Sequence, residues 1–292
     1  MALDRRLAVD LIVGCVAIGW AAIFFRLAGD ESPLLASSLR LAIAAAVLAP
    51  WVIRAARAGK IGPRVRRAAL MGGALYALHF GSWVASLQWT SVAASVTLVT
   101  ATPLLLALVG LARRRDRPTR REGIAIGIAT IGVVIIGAAD ASTSADALIG
   151  DALALLGAIG MALYLLVARE LGDELDPVSF MGMSAGIGAL VLAIAWLATA
   201  PLASLSASAL PSMQALGWIA MSALIPQLVG HTLLTRALRR ATPTVVGLAT
   251  CSEPVLSTLL AIPILGERPE PVVLIGCAVT LAGVLGGVRA TR

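Results

Sequence analysis

Long apolar runs separated by short polar connections organise the chain. Ten runs can be distinguished, and each is close to the ~20 residues that a helix needs to cross a bilayer. The runs cover residues 7–27, 34–53, 68–88, 92–112, 123–139, 147–168, 178–198, 214–234, 244–265 and 271–288. This pattern predicts an all-α membrane protein with ten transmembrane helices.

Composition supports the same class of protein. Hydrophobic residues make up 59% of the 292 positions, charged residues make up 13%, and the mean hydropathy is +0.93. Soluble domains usually carry about 25% charged residues. The first run follows Arg5-Arg6, but it is long enough to span and has no Ala-x-Ala cleavage motif at its end, so we interpret it as a helix and not as a signal peptide. The chain is therefore expected to lie in the lipid bilayer.

Positive charge is concentrated in alternate connections. All but three of the 23 lysines and arginines lie at the two termini or after the second, fourth, sixth and eighth runs, the exceptions being Arg26, Arg40 and Arg268. Because cytoplasmic loops are enriched in these residues, we expect both termini on the cytoplasmic side of the cell (inner) membrane. The same distribution accounts for the net charge of +7 without a nucleic-acid partner.

The sequence lacks the motifs that indicate an enzyme or a metalloprotein. Cys15, Cys251 and Cys277 lie within apolar runs, without the spacing of metal ligands or of secreted disulfides. A Walker loop, a His-Glu-x-x-His motif, a dinucleotide fingerprint and paired catalytic acids are also missing from the sequence. We therefore expect no cofactor, no metal site and no catalytic activity.

The second half of the chain repeats the first. A shift of 151 residues places Thr102-Pro103 on Glu253-Pro254, Asp116-Arg117-Pro118 on Glu267-Arg268-Pro269, and Gly132 on Gly283. Near the front a shift of 141 places Gly19-Trp20 on Gly160-Met161. We predict two units of five helices each, residues 1–139 and 147–289. Because five is odd, the second unit is inverted in the membrane, an arrangement typical of secondary transporters whose substrate site lies between the repeats.

Three segments carry a resemblance to a known family: Glu253-Pro254-Val255, Leu265-Gly266-Glu267-Arg268, and the last apolar run with Gly276 and Gly283. They resemble the closing signature of the EamA repeat of the drug/metabolite transporter superfamily. Thr102-Pro103, Arg117-Pro118 and Gly132 resemble a degenerate copy of it. Within that superfamily the chain is similar to ten-helix bacterial exporters of amino acids and related metabolites, including the aromatic amino-acid branch. The resemblance implies an exporter built from two inverted five-helix EamA repeats.

Glu253 lies in the middle of the ninth run and precedes Pro254. A carboxylate at that depth costs about +2.5 kcal/mol or more, and such residues usually face protein or water and mark a pathway. Pro254 has no N–H and clashes with the turn before it, so it is expected to interrupt the helix beside Glu253. We predict that Glu253 binds substrate and that Pro254, with its counterpart Pro103, acts as a hinge. The alternative is a protonated Glu253 that only forms hydrogen bonds across the bundle.

The third run carries an aromatic and polar face. Tyr76, His79, Trp83 and Ser86 are spaced by three or four residues, so they share one side of a helix. His79 lies near the middle of the run, and an imidazole can change its charge near neutral pH. We predict that Tyr76, His79 and Trp83 contact substrate. The alternative for His79 is a hydrogen bond to a neighbouring carbonyl group.

Further candidates lie on the first, sixth and eighth runs. Trp20 and Tyr164 belong to aromatic faces at near-equivalent positions of the two units, and we predict that they line the cavity, with simple packing as the alternative. Gln227 is the pore candidate of the eighth run. His231 lies a few residues from Arg236, so we expect it at the cytoplasmic interface.

Arg40 lies about 9 Å into the second run, at 1.5 Å per residue. We expect its side chain to extend to the outer surface or to pair with Asp30 or Glu31. Contact with a substrate carboxylate is a less favoured alternative.

Together these features predict a monomeric carrier that exports small metabolites by alternating access around a central cavity, with amino acids as the leading substrate. Helices one, three, four, six, eight and nine are expected to line the cavity. Aromatic and uncharged polar side chains suit a zwitterion, and the lack of a basic cluster at mid-depth argues against sugar phosphates. The alternatives are export of drugs or other metabolites, a channel, or a membrane-embedded enzyme with a second catalytic group near Glu253 or His79.

Overall fold

The computed structural model describes residues 5–90, 92–114, 118–138, 144–199, 211–266 and 268–290, and every regular element in these ranges is a helix. The helices are α1 (Arg5–Ile18), α2 (Ala21–Ala28), α3 (Pro33–Arg57), α4 (Pro63–Ser86), α5 (Val92–Val99), α6 (Thr102–Arg113), α7 (Arg120–Ala138), α8 (Ala145–Leu171), α9 (Pro177–Thr199), α10 (Met213–Ser222), α11 (Thr232–Ala237), α12 (Pro243–Thr250), α13 (Ser252–Leu265) and α14 (Pro271–Ala290). A π-helical segment, Ala223–His231, joins α10 to α11. Asp116, Arg117 and Glu267 of the repeated segment lie outside the described residues, as do residue 139 at the predicted end of the first unit and residues 200–210 of the longest connection.

These helices form ten apolar spans, which confirms the predicted fold class. In the described ranges nine spans are long and apolar enough to cross a membrane, and the tenth is the apolar helix α14. Four spans are interrupted and consist of two or more consecutive segments: α1 with α2, α5 with α6, α10 to α11, and α12 with α13.

Proline begins five of the helices. Pro33, Pro63, Pro177, Pro243 and Pro271 each occupy the first helical position. The first residue of a helix has no partner for its N–H, and the fixed φ of proline suits the helical conformation, so proline is favoured there. The sequence therefore marks the start of half of the spans.

The last helices of the two halves, α7 and α14, pack together in opposite directions. A Cβ on Gly132 would lie 2.3 Å from the backbone nitrogen of Thr280, and a Cβ on Gly283 would lie 2.3 Å from that of Ala129. Shifting either pair by 151 residues produces the other pair. The contact is therefore reciprocal, and only glycine permits so close an approach of two backbones.

Two further contacts join a residue to its own counterpart in the other half. The Ser38 hydroxyl donates to the carbonyl of Ala189 at 2.9 Å, and the Cys251 thiol lies 3.8 Å from the carbonyl oxygen of Thr100. Both pairs are 151 residues apart. A residue can contact its counterpart only near a symmetry axis, so a pseudo-two-fold axis relates two inverted repeats of five spans.

Ion pairs tie four connections together at one end of the bundle. Acids at the end of α8 and in the α8–α9 connection pair with arginines near three other connections: Arg64 with Glu174, Arg113 with Glu170 at 2.7 Å, and Arg239 with Asp173 at 3.4 Å. The α8–α9 connection is mostly acidic, yet it lies at the same end as the basic connections. Its charges complement theirs.

Candidate functional site

Two helix interruptions meet on the pseudo-two-fold axis. One separates α5 from α6 at Thr100, and the other separates α12 from α13 at Cys251. Pro103 and Pro254 follow these breaks within the first turn of α6 and α13. Because proline cannot supply an N–H to the turn before it, each break falls just ahead of its proline. Whether the breaks act as hinges stays a prediction.

Two other interruptions were not anticipated from the sequence. α1 ends before Gly19, whose carbonyl accepts a hydrogen bond from the Ser257 hydroxyl at 2.9 Å. A Cβ on Gly19 would lie 2.7 Å from the Cβ of Leu256, so the break also brings α1 and α13 close together. The eighth span contains Pro226 within its π-helical segment. Gly19 and Pro226 are the sequence signals for these sites, since glycine and proline are the usual causes of such breaks.

A pocket lies between the two repeats. Both repeats contribute to it, with Ile18, Ala21, Arg40, His79, Phe80, Trp83, Val99, Thr100 and Thr102 from the first and Met161, Leu165, His231, Leu234, Thr235, Val246, Thr250 and Glu253 from the second. The six spans expected from the sequence all line it, and the second span joins them through Arg40.

Arg40 faces the pocket, and the expectation that it extends outward or pairs with Asp30 or Glu31 is wrong. Its relative exposure is 0%. Its guanidinium carbon lies 4.4 Å from the centroid of the Phe80 ring and 5.6 Å from that of Phe25. The residue lies on the face of α3 that packs inside the protein, next to the fully buried Leu41, so the side chain has no path along the lipid.

No hydrogen-bond partner is found for the three guanidinium nitrogens of Arg40 in the part of the chain that the structure describes. A buried charge normally has a partner, because transfer of an unpaired ion out of water is very costly. The two cation–π contacts offset part of this cost but use none of the N–H donors.

His79 makes the carbonyl contact considered for it and also faces the pocket, while its contact with substrate stays a prediction. Its Nδ1 lies 2.9 Å from the carbonyl oxygen of Gly157 on α8, and the ring also lines the pocket, stacked on Trp83 at 6.1 Å between centroids. A carbonyl only accepts hydrogen bonds, so Nδ1 carries the proton. In the neutral ring Nε2 is then the acceptor.

His231 also lies in the pocket, so its expected position at the membrane interface is wrong. Its ring centroid lies 5.4 Å from that of Phe80 and 6.3 Å from that of His79. The π-helical segment that ends at His231 has a wider turn than an α-helix and changes the face that the following residues present. Distance along the sequence from Arg236 was therefore a poor guide to its position.

Glu253 lies in the first turn of α13 and faces the pocket. A carboxylate is favoured at a helix N-terminus, where the helix dipole is positive. Its counterpart in the first repeat, 151 residues earlier, is Thr102, which lines the same pocket. The alignment of the repeats places Thr102 on Glu253 and could have indicated it as a site residue, but it was not among the residues predicted from the sequence.

Four predicted residues lie outside the lining of the pocket. Tyr76, Tyr164 and Gln227 have 0% exposure, and the two tyrosine rings stack with centroids 4.0 Å apart. Gln227 Nε2 lies 3.8 Å from the sulfur of Met181. Trp20 stacks on Phe24 at 5.5 Å. A direct substrate role for these side chains stays a prediction.

A second recess lies at the end of the bundle opposite the ion pairs. It is lined by the α2–α3 connection and the end of α4, including Asp30, Glu31 and Gln88. Phe25 borders this recess, and its ring meets the ring of Trp83 edge-on with centroids 5.9 Å apart. Since Trp83 lines the central pocket, this aromatic pair separates the two spaces.

Among the described residues, no three His, Cys, Asp or Glu side chains are grouped as metal ligands would be. The pocket is instead suited to bind a small organic solute through one guanidinium, one carboxyl group, two imidazoles, four threonines and an apolar wall.

Comparison with known proteins agrees with this architecture. The model of the EamA-like transporter family matches residues 8–138 and again residues 148–288. No curated protein matches the chain. A solved crystal structure is similar to this chain, with a TM-score of 0.77 and 18% sequence identity over 98% of both chains. This similarity reflects a shared fold. Because the family model covers most of the sequence in two copies, the chain belongs to the EamA-like transporter family and is a multi-pass membrane transporter of small molecules.

Proposed function

We propose that the protein is a secondary transporter that exports small metabolites, with amino acids as the leading class, by alternating access. The observation that carries the proposal is the position of the pocket. It lies between two inverted repeats, at the level where the interruptions at Thr100 and Cys251 meet. In transporters with inverted repeats, rocking of one repeat against the other opens such a site to each side in turn.

The chemistry of the lining supports a small zwitterion. Phe80, Trp83 and Met161 offer an apolar wall, while Arg40 and Glu253 offer one basic and one acidic group. Arg40 adds one basic group that the sequence did not place at the pocket. A sugar phosphate would nevertheless bring a doubly charged anion beside the carboxyl group of Glu253. An amino acid brings one charge of each sign.

The proposed orientation places the ion-paired end of the bundle, and both termini, in the cytoplasm of a cell whose inner membrane contains the protein. The support is the excess of lysine and arginine in the connections at that end. Lys60 lies there and is exposed, whereas Gln88 is exposed at the opposite end. Single cysteines introduced at Lys60 and at Gln88 should react with an impermeant thiol reagent from opposite sides of the membrane. Labelling of both from the same side would contradict the arrangement.

Transport itself is tested with purified protein in liposomes. A mixture of labelled neutral amino acids should accumulate in vesicles preloaded with the same unlabelled amino acids. His79→Ala and Glu253→Gln should reduce this counterflow, while Glu170→Gln, which removes an exposed acid outside the pocket, should not. The proposal fails if folded protein gives no counterflow with any small metabolite.

The same assay separates a carrier from the other classes. A channel would give flux that does not saturate and is not stimulated by solute on the opposite side. An enzyme would change the chemical identity of the solute, which mass spectrometry of the vesicle contents would detect.

A further inference from the structure

We propose, building on the transport function above, that the pocket recognises both charges of an α-amino acid with apolar side chain. Arg40 of the first repeat binds the substrate carboxylate, and Glu253 of the second repeat binds the substrate ammonium group. The apolar side chain of the substrate then lies against Phe80, Trp83 and Met161. Recognition is thus divided between the two repeats that move relative to each other.

The first support is the unsatisfied state of Arg40. The side chain is fully buried, it lines the pocket, and none of its three nitrogens has a hydrogen-bond partner among the described residues. A planar guanidinium presents its donors in a fork that matches a carboxylate in two parallel hydrogen bonds. A substrate carboxylate would therefore supply the missing partner.

The second support is Glu253. The structure records no hydrogen bond or ion pair for its carboxyl group within the described ranges, and the residue is partly exposed and lines the same pocket as Arg40. An ammonium group donates up to three hydrogen bonds and has no acceptor, so a carboxylate is its natural partner. Apart from the two histidines, Arg40 and Glu253 are the ionisable residues named in the lining of this pocket.

The third support comes from the repeat. The position that corresponds to Arg40 in the second repeat, 151 residues later, is Val191, and the position that corresponds to Glu253 in the first repeat is Thr102. Val191 is 42% exposed, so the second repeat has an outward-facing apolar residue at the position where the first repeat has Arg40. Neither charge is present at the position related to it by the repeat, so the charges are particular to the pocket and are not part of the repeated sequence pattern.

The test compares an amino acid with analogues that lack one charge. L-Leucine and L-phenylalanine are the zwitterionic probes. Their decarboxylated analogues, 3-methylbutylamine and 2-phenylethylamine, keep only the ammonium group, and 4-methylpentanoate and 3-phenylpropanoate keep only the carboxylate. Binding is measured calorimetrically on purified protein in nanodiscs. We expect at least one zwitterion to bind. Each of its single-charge analogues should bind with an affinity lower by about tenfold or more, because a charge-assisted interaction is lost.

Two substitutions give the test its specificity. Glu253→Gln should lower the affinity for the amino acid. In the same variant the matching carboxylate should bind with an affinity equal to that of the amino acid. Arg40→Lys should lower the affinity for the amino acid and for the carboxylate, since the charge remains and the forked geometry is lost. The affinity for the amine should not change. Arg64→Lys and Glu174→Gln, at an exposed ion pair outside the pocket, are the matched controls and should change neither pattern.

A purely structural role for the two residues would reduce binding of all three ligand types together, and this result would overturn the inference. Binding of zwitterion and analogues with equal affinity to the unmodified protein would overturn it too. If amino acids neither bind nor show counterflow while another solute does, the charge-pair inference fails but the transport function stands. If no solute shows counterflow with folded protein, the proposed function itself fails.

Discussion

Among the residues that the structure describes, two charged side chains have 0% exposure, and they differ in their surroundings. Asp10 on α1 has 0% exposure and is held by Arg236, whose Nε donates to it at 3.0 Å, and by Arg240 at 3.4 Å. Arg40 on α3 also has 0% exposure, but it contacts two aromatic rings and no acceptor in the described structure. One buried charge has partners inside the protein, and the other has no hydrogen-bond partner among the described residues.

The difference follows from position. Asp10 lies near the end of its span, where the partly exposed arginines around the α11–α12 connection can reach it. A pair at this depth keeps one partner in contact with water and costs less than a fully buried pair. Arg40 lies beside the central pocket, and an internal partner there would fill the site. On this basis we expect changes at Asp10 to affect mainly stability and changes at Arg40 to affect mainly binding.

The largest expected effect is that of Arg40→Met. Removal of the guanidinium should lower amino-acid counterflow by about 100-fold, since the main anchor for the substrate carboxylate is lost. Replacement of an uncompensated buried charge by an apolar side chain of similar length should not lower thermal stability and is expected to raise it. Counterflow and the unfolding temperature of the purified variant check the two parts. A loss of both activity and stability would show that Arg40 supports the fold.

The contact between α7 and α14 should affect stability and leave specificity unchanged. Gly132→Leu places a side chain where Thr280 backbone atoms lie, so it should destabilise the protein by about 3 kcal/mol or more. Gly127→Ala on the same helix has open space around it and serves as the control. Denaturant unfolding measures the difference, and the ratio of zwitterion to single-charge binding measures specificity. An altered ratio in folded Gly132→Leu protein would show that scaffold and pocket are not separable.

Asp10→Asn should lower stability and leave substrate binding almost unchanged, the opposite of the result expected for Arg40→Met. The carboxylate that neutralises Arg236 and Arg240 is lost, and we expect a decrease in unfolding free energy of about 1–3 kcal/mol. Substrate affinity should remain within about twofold of the unmodified value, because the site lies outside the pocket. Chemical unfolding and calorimetric binding on the same preparation test both statements. A selective loss of affinity would contradict the comparison between the two buried charges.

The smallest effect is expected at the exposed pair of Arg64 and Glu174. Their side chains are 68% and 39% exposed, so solvent screens the attraction. Arg64→Ala should lower stability by no more than about 1 kcal/mol, and the difference should shrink further in high salt. The measurement is unfolding at low and high ionic strength. A salt-independent loss above this value would mean that the pair acts in a larger network.

The sequence predicted the class of fold well because its signals are local and strong. Apolar runs indicate segments that cross the bilayer, and prolines mark where several of these spans begin. Individual site residues were harder to place. Glu253, His79 and Trp83 line the pocket as their depth suggested, whereas Arg40 and His231 were assigned to the surface from their distance to a charged connection. Tyr76, Tyr164 and Gln227 share helical faces with pocket residues but lie behind them.

Ten spans, the duplication and the inverted relation of the halves follow from the sequence alone, because length, hydropathy and an odd number of helices per repeat leave few alternatives. The face of each helix that meets the pocket could be read only from the packing of the folded chain. That choice depends on helix rotation, which a π-helical turn at Ala223–His231 or a break at Gly19 changes by a large angle without a comparable change in pattern. The pairing of Asp10 and the unpaired state of Arg40 arise from contacts between spans far apart in the chain, and no local pattern records them.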